Sequence, residues 1–480
     1  MQMNHARFAK GLAAAIGAVL VTAALVIAGC TAASNLTGGS TNINTATTLV
    51  PVTITDAPSD QVVAASLTLN SVVLTDQKGA TASILTAPLT FEAAHLDAVQ
   101  EPLFTPAIPQ DAYVSVTLTY SNAQVAYIDP TTKLLVLATA TLTNTSQTIT
   151  LPAPLTINNT TTSLLIDYLV AKSVTISGST VTVTPQFHVA PAPIAATPTN
   201  GTNGLQCGIK GKVTALGTNQ FTLTNPEGIS LVINVGNSTQ YQGLSGFSAL
   251  AVGMLVEVDV QMQTNGALLA LRVEQMVPPN ATADLLVGPV VAVTGSPVTS
   301  FTEIVRQKIG PTATSTPVEK DTINVTNTTQ FQLPGRWKNL VLNGVPFTPT
   351  FDASTLFAGQ VVAVQTNGVT NNTATALSVT LAPQTVEGTI TGGAIPACIP
   401  CWGQLTLTLP AGSWLATITG KSTVDVIVPT AATMQVLPGA TAAASSVVRF
   451  NGFLFNNNGT LVLVAVVMGP PPGTAIGPSI

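Results

Sequence analysis

The sequence predicts an all-β protein in which an N-terminal β-sandwich is followed by three tandem small β-barrel (OB-like) repeats. Hydrophobic residues make up 46% of the 480 residues and charged residues only 7%. Thr and Val, which branch at Cβ and pack well on pleated sheets, are frequent. Apolar and polar residues alternate with a period of two in several segments, as they do in half-buried strands. A related segment recurs three times after Gly204, and no long helix is expected.

The N-terminal part of the chain shows the alternation most clearly. Apolar residues occupy every second position over 50–54 and again over 114–120. The segments 174–176 and 181–183 have the same character and flank a short turn that contains Gly178, so they predict a hairpin. Sheets of this kind can cover one another without a helical layer, which predicts a β-sandwich.

The second part of the chain repeats itself. Residues 233–241 recur at 323–331 with the same internal spacing, and residues 250–258 match 356–364. A more diverged third copy begins at Gly388. Each copy opens on a glycine two residues before a β-branched residue: Gly211 and Val213, Gly288 and Val290, Gly388 and Ile390. Closing the short strands of each copy into a barrel would remove exposed sheet edges.

Segments rich in Ser, Thr, Asn, Gly or Pro separate these parts, because such residues cannot bury a core. The final run, 461–468, is too short to span a membrane and predicts a buried strand. The predicted organisation is a signal peptide over 1–29, a flexible tether over 30–48, the sandwich over 49–189, a linker over 190–204, barrels over 205–277, 284–382 and 384–468, and a Pro/Gly tail over 469–480.

The N-terminus has the pattern of an export signal. Basic residues Arg7 and Lys10 precede an apolar stretch that ends in Ile27-Ala28-Gly29-Cys30. This ending resembles the lipobox of bacterial lipoproteins. The resemblance implies cleavage before Cys30, a lipid anchor on that residue and, because Thr31 follows, passage to the outer membrane. The alternative is an uncleaved transmembrane helix, which would not require small residues before a cysteine.

Two further resemblances concern the domains. The segments Val52–Pro58 and Leu165–Tyr168, together with Tyr113, resemble the N-terminal domain of an uncharacterised family of bacterial exported lipoproteins, which implies a β-sandwich of no known activity. The segments around Gly253 and Gly359 resemble a second uncharacterised family, small β domains that occur in tandem in bacterial exported proteins. Insertions in the second copy are loops to which a partner surface could have been added.

The charge of the mature chain argues against nucleic acid as a partner. Removal of Arg7 and Lys10 with the signal leaves 13 basic against 20 acidic residues, a net charge of −7. The remaining Lys and Arg are scattered along the sequence, whereas a phosphate-binding surface needs them clustered. The expected partners are the membrane, through the lipid on Cys30, and a polysaccharide or envelope protein.

Four cysteines are present, and lipidation of Cys30 leaves three in an oxidising setting. We expect Cys398 and Cys401 to form a disulfide that pins a loop of the third barrel. A redox-active pair would need a helix N-terminus at its first cysteine to lower the pKa of that thiol. The segment before Cys398 is rich in glycine and precedes a predicted strand, so it offers no such helix. A metal site would need more ligands than the cysteines offer. A disulfide between Cys207 and a cysteine of the third barrel is the remaining alternative.

The mature chain offers little for acid–base chemistry, because it has only two histidines, His95 and His188. His95-Leu-Asp97 could place two ligands on one face of a strand, although an ordinary turn is the simpler interpretation. Asp56-Ala-Pro-Ser-Asp60 could offer oxygens to calcium, but a turn cap explains it better. Recognised hydrolase, zinc-protease and phosphate-loop motifs are absent from the sequence. We expect no catalytic residues, no metal and no cofactor.

These observations favour a lipid-anchored cell-envelope protein with a non-enzymatic structural or binding role. The first alternative is a carbohydrate-binding surface lipoprotein. It depends on exposed aromatic rings, and Trp337 is the candidate for stacking because Arg336 and Lys338 flank it. The second alternative is a metal-dependent hydrolase, which depends on His95 and Asp97 alone.

Overall fold

The structure is a computed structural model. It describes residues 46–56, 59–96, 100–158, 162–194, 204–277, 283–310, 318–335, 341–342, 344–393, 403–428, 434–437 and 439–471. The predicted signal peptide, Cys30 and nearly all of the tether therefore lie outside the described residues. Strands dominate the rest, which confirms the predicted all-β class. No helix in the described ranges is long and apolar enough to cross a bilayer.

The N-terminal domain is a β-sandwich with one 3₁₀-helical turn and one short α-helix. Its helical turns are η1 (Ala94–Leu96) and α1 (Val170–Ser173). Its strands are β1 Thr47–Leu49, β2 Val52–Asp56, β3 Val62–Asp76, β4 Thr81–Ser83, β5 Leu89–Glu92, β6 Glu101–Phe104, β7 Ala107–Pro109, β8 Ala112–Ile128, β9 Leu135–Thr139, β10 Thr141–Leu142, β11 Ser146–Thr156, β12 Thr162–Tyr168, β13 Val174–Ser177, β14 Thr180–Val183 and β15 Phe187–Pro193.

Two sheets form the sandwich. The larger has the order β11-β8-β3-β4, with β5 paired to β3 and β9 to β8, and the smaller has the order β15-β12-β2-β6. Leu67 and Tyr120 of the larger sheet share one apolar core with Ile54 and Ile166 of the smaller. The two inner faces thus cover one another, as predicted. The predicted hairpin is confirmed as β13 and β14, and Gly178 supplies the positive φ of 58° that its turn requires.

Two details of the smaller sheet differ from the sequence prediction. Thr53 and Thr55 were expected on an exposed face, but both are buried because η1 lies over that face, and the Thr55 hydroxyl donates to the Leu96 carbonyl at 3.4 Å. The last strand, β15, runs to Pro193 and includes the first residues of the predicted linker. It is an edge strand, where Pro191 can sit without removing a ladder hydrogen bond.

Three barrels follow, and their elements lie in chain order. The first barrel contains β16 Leu205–Gly217, β17 Gln220–Thr224, β18 Ser230–Asn234, β19 Gln240–Gln242, η2 Phe247–Ala249, β20 Leu255–Met262 and β21 Leu268–Val277. The second contains β22 Asp284–Thr294, β23 Ser300–Val305, β24 Gln307–Ile309, β25 Glu319–Asn324, β26 Gln330–Gln332, β27 Val361–Thr366 and β28 Thr373–Leu381. The third contains β29 Gln384–Gly393, β30 Gly403–Thr408, α2 Trp414–Thr419, β31 Thr423–Val428, β32 Gln435–Val436, β33 Val447–Asn457 and β34 Thr460–Gly469.

Each barrel closes through the same set of pairings. In the first barrel the order β18-β17-β16-β20-β21 is closed by a parallel contact between β18 and β21. The second closes in the same way through β25 and β28, and the third through β31 and β34. The parallel contact between the third and last principal strands is what converts the meander into a closed, OB-like barrel without an open edge at that position.

Each of the repeated glycines lies where two strands of its barrel approach each other closely. A Cβ built on Gly211 would lie 2.6 Å from the Leu223 side chain, and one on Gly388 would lie 2.8 Å from the Thr408 carbonyl oxygen. At Gly288 the added carbon would lie only 1.8 Å from the Ile304 carbonyl oxygen. None of the three has a positive φ, so close backbone approach at the bulged start of each barrel explains the motif.

The domains pack against one another. Val63 of the sandwich and Ile304 of the second barrel belong to the same apolar cluster as the core of the third barrel. Phe453 and Val464 of the third barrel belong in turn to the core cluster of the second. Strand β34 is therefore buried on both faces, which confirms the predicted buried strand and explains why Leu461–Met468 is apolar throughout.

The first barrel packs on the outer side of the smaller sheet. Ile229 contacts both the core of the sandwich and the core of the first barrel. A Cβ on Gly266 would lie 3.3 Å from the Pro51 ring. The first barrel also touches the second, because Leu255 shares a small cluster with Leu285. The smaller sheet is thus covered on both faces.

The close approach at Gly288 gives a test of the barrel geometry. We expect Gly288→Ala to lower the free energy of unfolding by about 1–3 kcal/mol, because two strands must separate to admit the methyl group. Chemical denaturation of the purified protein measures this. Gly236→Ala is the matched control, because its added carbon would meet only Leu269 at 3.7 Å and should change stability by less than about 0.5 kcal/mol. Equal effects of the two substitutions would contradict the account.

Candidate metal centre

Four titratable side chains meet where the smaller sheet of the sandwich contacts the first barrel. Glu92 ends β5, His95 lies in η1, Glu101 begins β6, and Glu227 lies in the turn between β17 and β18. Three of these elements belong to the sandwich and one to the first barrel. The turn that carries Glu227 is closed by hydrogen bonds to Asn225, whose side-chain oxygen accepts from the Ile229 amide at 2.8 Å.

Glu92 is the fixed point of the cluster. One of its carboxylate oxygens accepts from the amides of Ala65 at 2.9 Å and Ala94 at 3.0 Å. The other accepts from the His95 amide at 2.9 Å and lies 3.1 Å from His95 Nδ1. Its side chain is only 1% exposed. These contacts hold the imidazole ring in one orientation, with Nδ1 directed at Glu92 and Nε2 directed away from it.

His95 Nε2 points at two more carboxylates. It lies 3.5 Å from Glu101 Oε2 and 3.9 Å from Glu227 Oε1, and the side chains of His95, Glu101 and Glu227 are 8%, 5% and 6% exposed. Within the described part of the chain, neither Nε2 nor Glu227 Oε2 has a hydrogen-bond partner. One ligand atom from each of these three residues lies within 4.8 Å of the other two.

Burial and mutual charge shift the titration of the cluster. Burial favours the neutral imidazole, but the neighbouring carboxylates, Glu101 foremost, outweigh it and raise the pKa of His95 to about 10. Burial, and then the charge of Glu101, raise the pKa of Glu227 to about 7. An imidazole that keeps its proton at neutral pH cannot serve there as a general base. The carboxylates that stabilise the imidazolium would also attract a metal cation, which would have to displace the Nε2 proton.

Of this cluster, only His95 is a candidate from the sequence, where it was paired with Asp97 and no metal was expected. Asp97 lies outside the described residues. Glu101 and Glu227 were missed. Glu92 stands three residues before His95, and that spacing was the available signal; nothing in the sequence connects Glu227, in another domain, to His95. The structure brings them together through the packing of the first barrel on the sandwich.

The other candidate residues lie apart from this cluster. Asp56, proposed as a calcium ligand, accepts from the Val170 amide at 3.2 Å at the start of α1. Asp60 accepts through its main-chain oxygen from the Trp414 amide at 2.7 Å. Trp414 is buried, so it offers no face for a sugar.

His188 is half-buried, and burial lowers its pKa. Cys207 is exposed on β16. Trp337, Trp402, Cys398 and Cys401 lie outside the described residues.

A second ionic cluster stabilises the first barrel. Arg272 Nε donates to Asp259 Oδ2 at 2.8 Å and its Nη2 donates to Glu257 Oε1 at 2.7 Å. Nη1 contacts Glu274 as well. Burial would lower the pKa of Arg272, but the hydrogen bond to Asp259 and the carboxylate charges raise it. The guanidinium is thus engaged by three carboxylates within one barrel, which assigns it to the structure of that barrel.

The second barrel holds a buried pair of acids. Glu303 lies between Phe301 and Val305, two core residues, and is opposite Asp321 on the neighbouring strand. It is fully buried, and within the described residues neither carboxylate oxygen has a hydrogen-bond partner. Burial, and then Asp321, raise the pKa of Glu303 well above its ordinary value. Burial therefore favours the protonated, uncharged form of Glu303 inside the barrel.

Comparison with known proteins gives one family match. Residues 210–274, most of the first barrel, match the family described as "Domain of unknown function (DUF5666)". This confirms, for that segment, the prediction of an uncharacterised domain family. No curated protein matches the chain.

Among solved structures, the chain is similar to "drosophila Unr CSD456", with 11% identity over 54% of this chain and 94% of that chain and a TM-score of 0.12. It is also similar to a deletion mutant of the single-stranded DNA binding protein from Thermus aquaticus, with 11% identity over 39% of this chain and 93% of that chain and a TM-score of 0.16. At these identities the likeness concerns the fold alone.

The expectation of no nucleic-acid partner is corrected by these matches. It was wrong as an exclusion, because a protein named for binding single-stranded DNA is among the structures that the chain resembles. The expectation relied on the net charge of the mature chain and on the spacing of Lys and Arg along the sequence. Neither quantity describes the charge on one face of one barrel after folding. The correction assigns no ligand to this chain.

The buried acid in the second barrel predicts a pH dependence. An unfolded glutamate ionises near 4.5, whereas folded Glu303 keeps its proton to higher pH. The folded state then binds more protons, so Glu303 makes the free energy of unfolding fall as pH rises above 4.5. We expect Glu303→Gln to remove this contribution, which amounts to at most about 1.4 kcal/mol per pH unit.

Urea denaturation of both proteins at a series of pH values measures the difference. Hydrogen bonds from the Thr132 and Thr131 amides keep the pKa of Asp129 below its ordinary value, 3.8, so Asp129→Asn should leave the profile above that value unchanged. Parallel profiles for the wild type and Glu303→Gln would show that Glu303 is ionised in the folded state and would contradict this assignment.

Proposed function

We propose that this protein is a non-enzymatic component of the bacterial cell envelope, held at the membrane by a lipid on Cys30, with a structural or binding role. The observation that carries the proposal is the packing of a sandwich and three closed barrels into each other through shared apolar clusters. Such an arrangement suits a rigid body that presents loops at a distance from its anchor. The lipobox resemblance supplies the anchor.

The chemistry of the described residues supports a non-enzymatic role. His95 holds its proton at neutral pH, with a pKa of about 10. The pKa of Glu303 is raised by burial and by the charge of Asp321, and this side chain lies fully buried inside a barrel. A general acid or base must reach a substrate proton, and neither group is placed to do so. The proposal assigns the exposed loops of the sandwich and barrels to partner contact.

The lipid anchor is directly testable. We expect mass spectrometry of the mature protein to find an N-terminus at Cys30 that carries diacylglycerol and an acyl chain, and membrane fractionation to recover the protein with the envelope. Cys30→Ser should lose the lipid mass, because serine lacks the thiol that takes the diacylglycerol. It should also lose the stable membrane association that several acyl chains provide.

Cys207→Ser is the matched control, because Cys207 is exposed and lies within the folded part of the chain. It should keep both the lipid and the membrane association. A wild-type protein that retains Met1, or a lipid mass that survives Cys30→Ser, would show that the N-terminus is not a lipoprotein signal.

A further inference from the structure

The cluster around His95 has the features of a cation site rather than of an ordinary salt bridge. In an ordinary salt bridge, His95 Nε2 would donate a hydrogen bond to a carboxylate at about 2.7–2.9 Å. The observed separations from Glu101 and Glu227, 3.5 and 3.9 Å, are longer. The side chain of His95 is 8% exposed, and Nε2 has no hydrogen-bond partner in the described part of the chain. The three side chains therefore point at a common centre, at separations longer than a direct charged hydrogen bond between them would have.

The spacing of these atoms suits a single metal ion. A tetrahedral ion with ligands at about 2.0–2.2 Å holds neighbouring ligand atoms about 3.4 Å apart. The 3.5 Å between His95 Nε2 and Glu101 Oε2 already matches this value, and the 3.9 Å to Glu227 Oε1 requires only a small rotation of a turn side chain. All three ligand atoms lie within 4.8 Å of one another. Little rearrangement is needed to enclose an ion.

Glu92 supplies the outer contact that metal-bound histidines typically have. A ligating histidine usually donates its second ring N–H to a carboxylate, which fixes the tautomer and the ring orientation. Glu92 Oε2 lies 3.1 Å from His95 Nδ1, and its other oxygen is held by two backbone amides. A metal ion that binds here displaces the Nε2 proton, while Nδ1 keeps its proton for Glu92, and the freed Nε2 lone pair faces Glu101 and Glu227.

We propose that His95, Glu101 and Glu227 bind one divalent transition-metal ion of the zinc class, and that this ion ties the first barrel to the sandwich. An imidazole ligand favours such ions over calcium and magnesium, which prefer all-oxygen sites. His95 and Glu101 come from the sandwich and Glu227 comes from the first barrel, so the ion joins the two domains. The inference goes beyond the envelope role and does not depend on it.

Zinc titration of the full mature chain tests the proposal. The protein carries no added histidine tag, its thiols are alkylated, and bound metal is removed with a chelator before calorimetric titration with Zn²⁺. We expect one ion per chain. His95→Ala should abolish binding at this site, and Glu227→Gln, which preserves shape, should weaken it. Glu92→Gln should weaken it about 10- to 100-fold, as for other outer contacts.

His188→Ala is the matched control, because His188 lies in the same domain and is half-buried, but belongs to β15. It should bind zinc as the wild type does. Circular dichroism of each variant checks that the fold is retained, and Glu227→Gln keeps the test valid if His95→Ala fails to fold. Zinc binding that is unchanged in both Glu227→Gln and His95→Ala would overturn the proposal, as would no binding by the wild type or a preference for Ca²⁺ over Zn²⁺.

Hydrogen exchange tests the joining of the two domains separately. We expect zinc to slow amide exchange in peptides from the turn that contains Glu227 and from the segment around His95. The wild type and His188→Ala should show this protection, and His95→Ala should not. Zinc that binds stoichiometrically but protects only the sandwich peptides would overturn the assignment of Glu227 as a ligand.

Discussion

The coverage of apolar sheet faces is the constraint on which the structure depends. With 46% hydrophobic and only 7% charged residues, the chain has few charged side chains with which to face water. Strand β34 shows the consequence: Leu463 faces the core of its own barrel, while Val464 faces the second barrel. The outer face of the third barrel is thus part of the core cluster of the second. Separation of the domains would expose faces that no polar residue covers.

The same packing creates the cluster around His95. His95 lies in η1 and Glu101 begins β6, both in the sandwich. Packing of the first barrel on the sandwich, in which Ile229 contacts both cores, places Glu227 opposite His95. Burial alone would lower the pKa of His95, but the interactions with Glu101, Glu92 and Glu227 outweigh it and raise this pKa to about 10. A site that neither domain contains alone results from their contact.

The sequence is sufficient to predict the fold class because its signals are local. Alternation over 114–120, the turn at Gly178 and the repeated glycines each reflect the geometry of one or two strands, and each is confirmed. The candidate site is different, since only the interval from Glu92 to His95 is local and Glu227 comes from another domain. The burial of Thr53 likewise depends on what packs over it.

The mutual packing of the domains is tested most directly by native-state hydrogen exchange at increasing denaturant, read by mass spectrometry. Peptides from β3, β23 and β33 represent the sandwich, the second barrel and the third barrel, and all three contribute to one apolar cluster. They should lose protection together, with one midpoint and one denaturant dependence, because opening any of these domains exposes the faces of the other two. Three separate midpoints would show that the domains fold independently and would contradict the central claim.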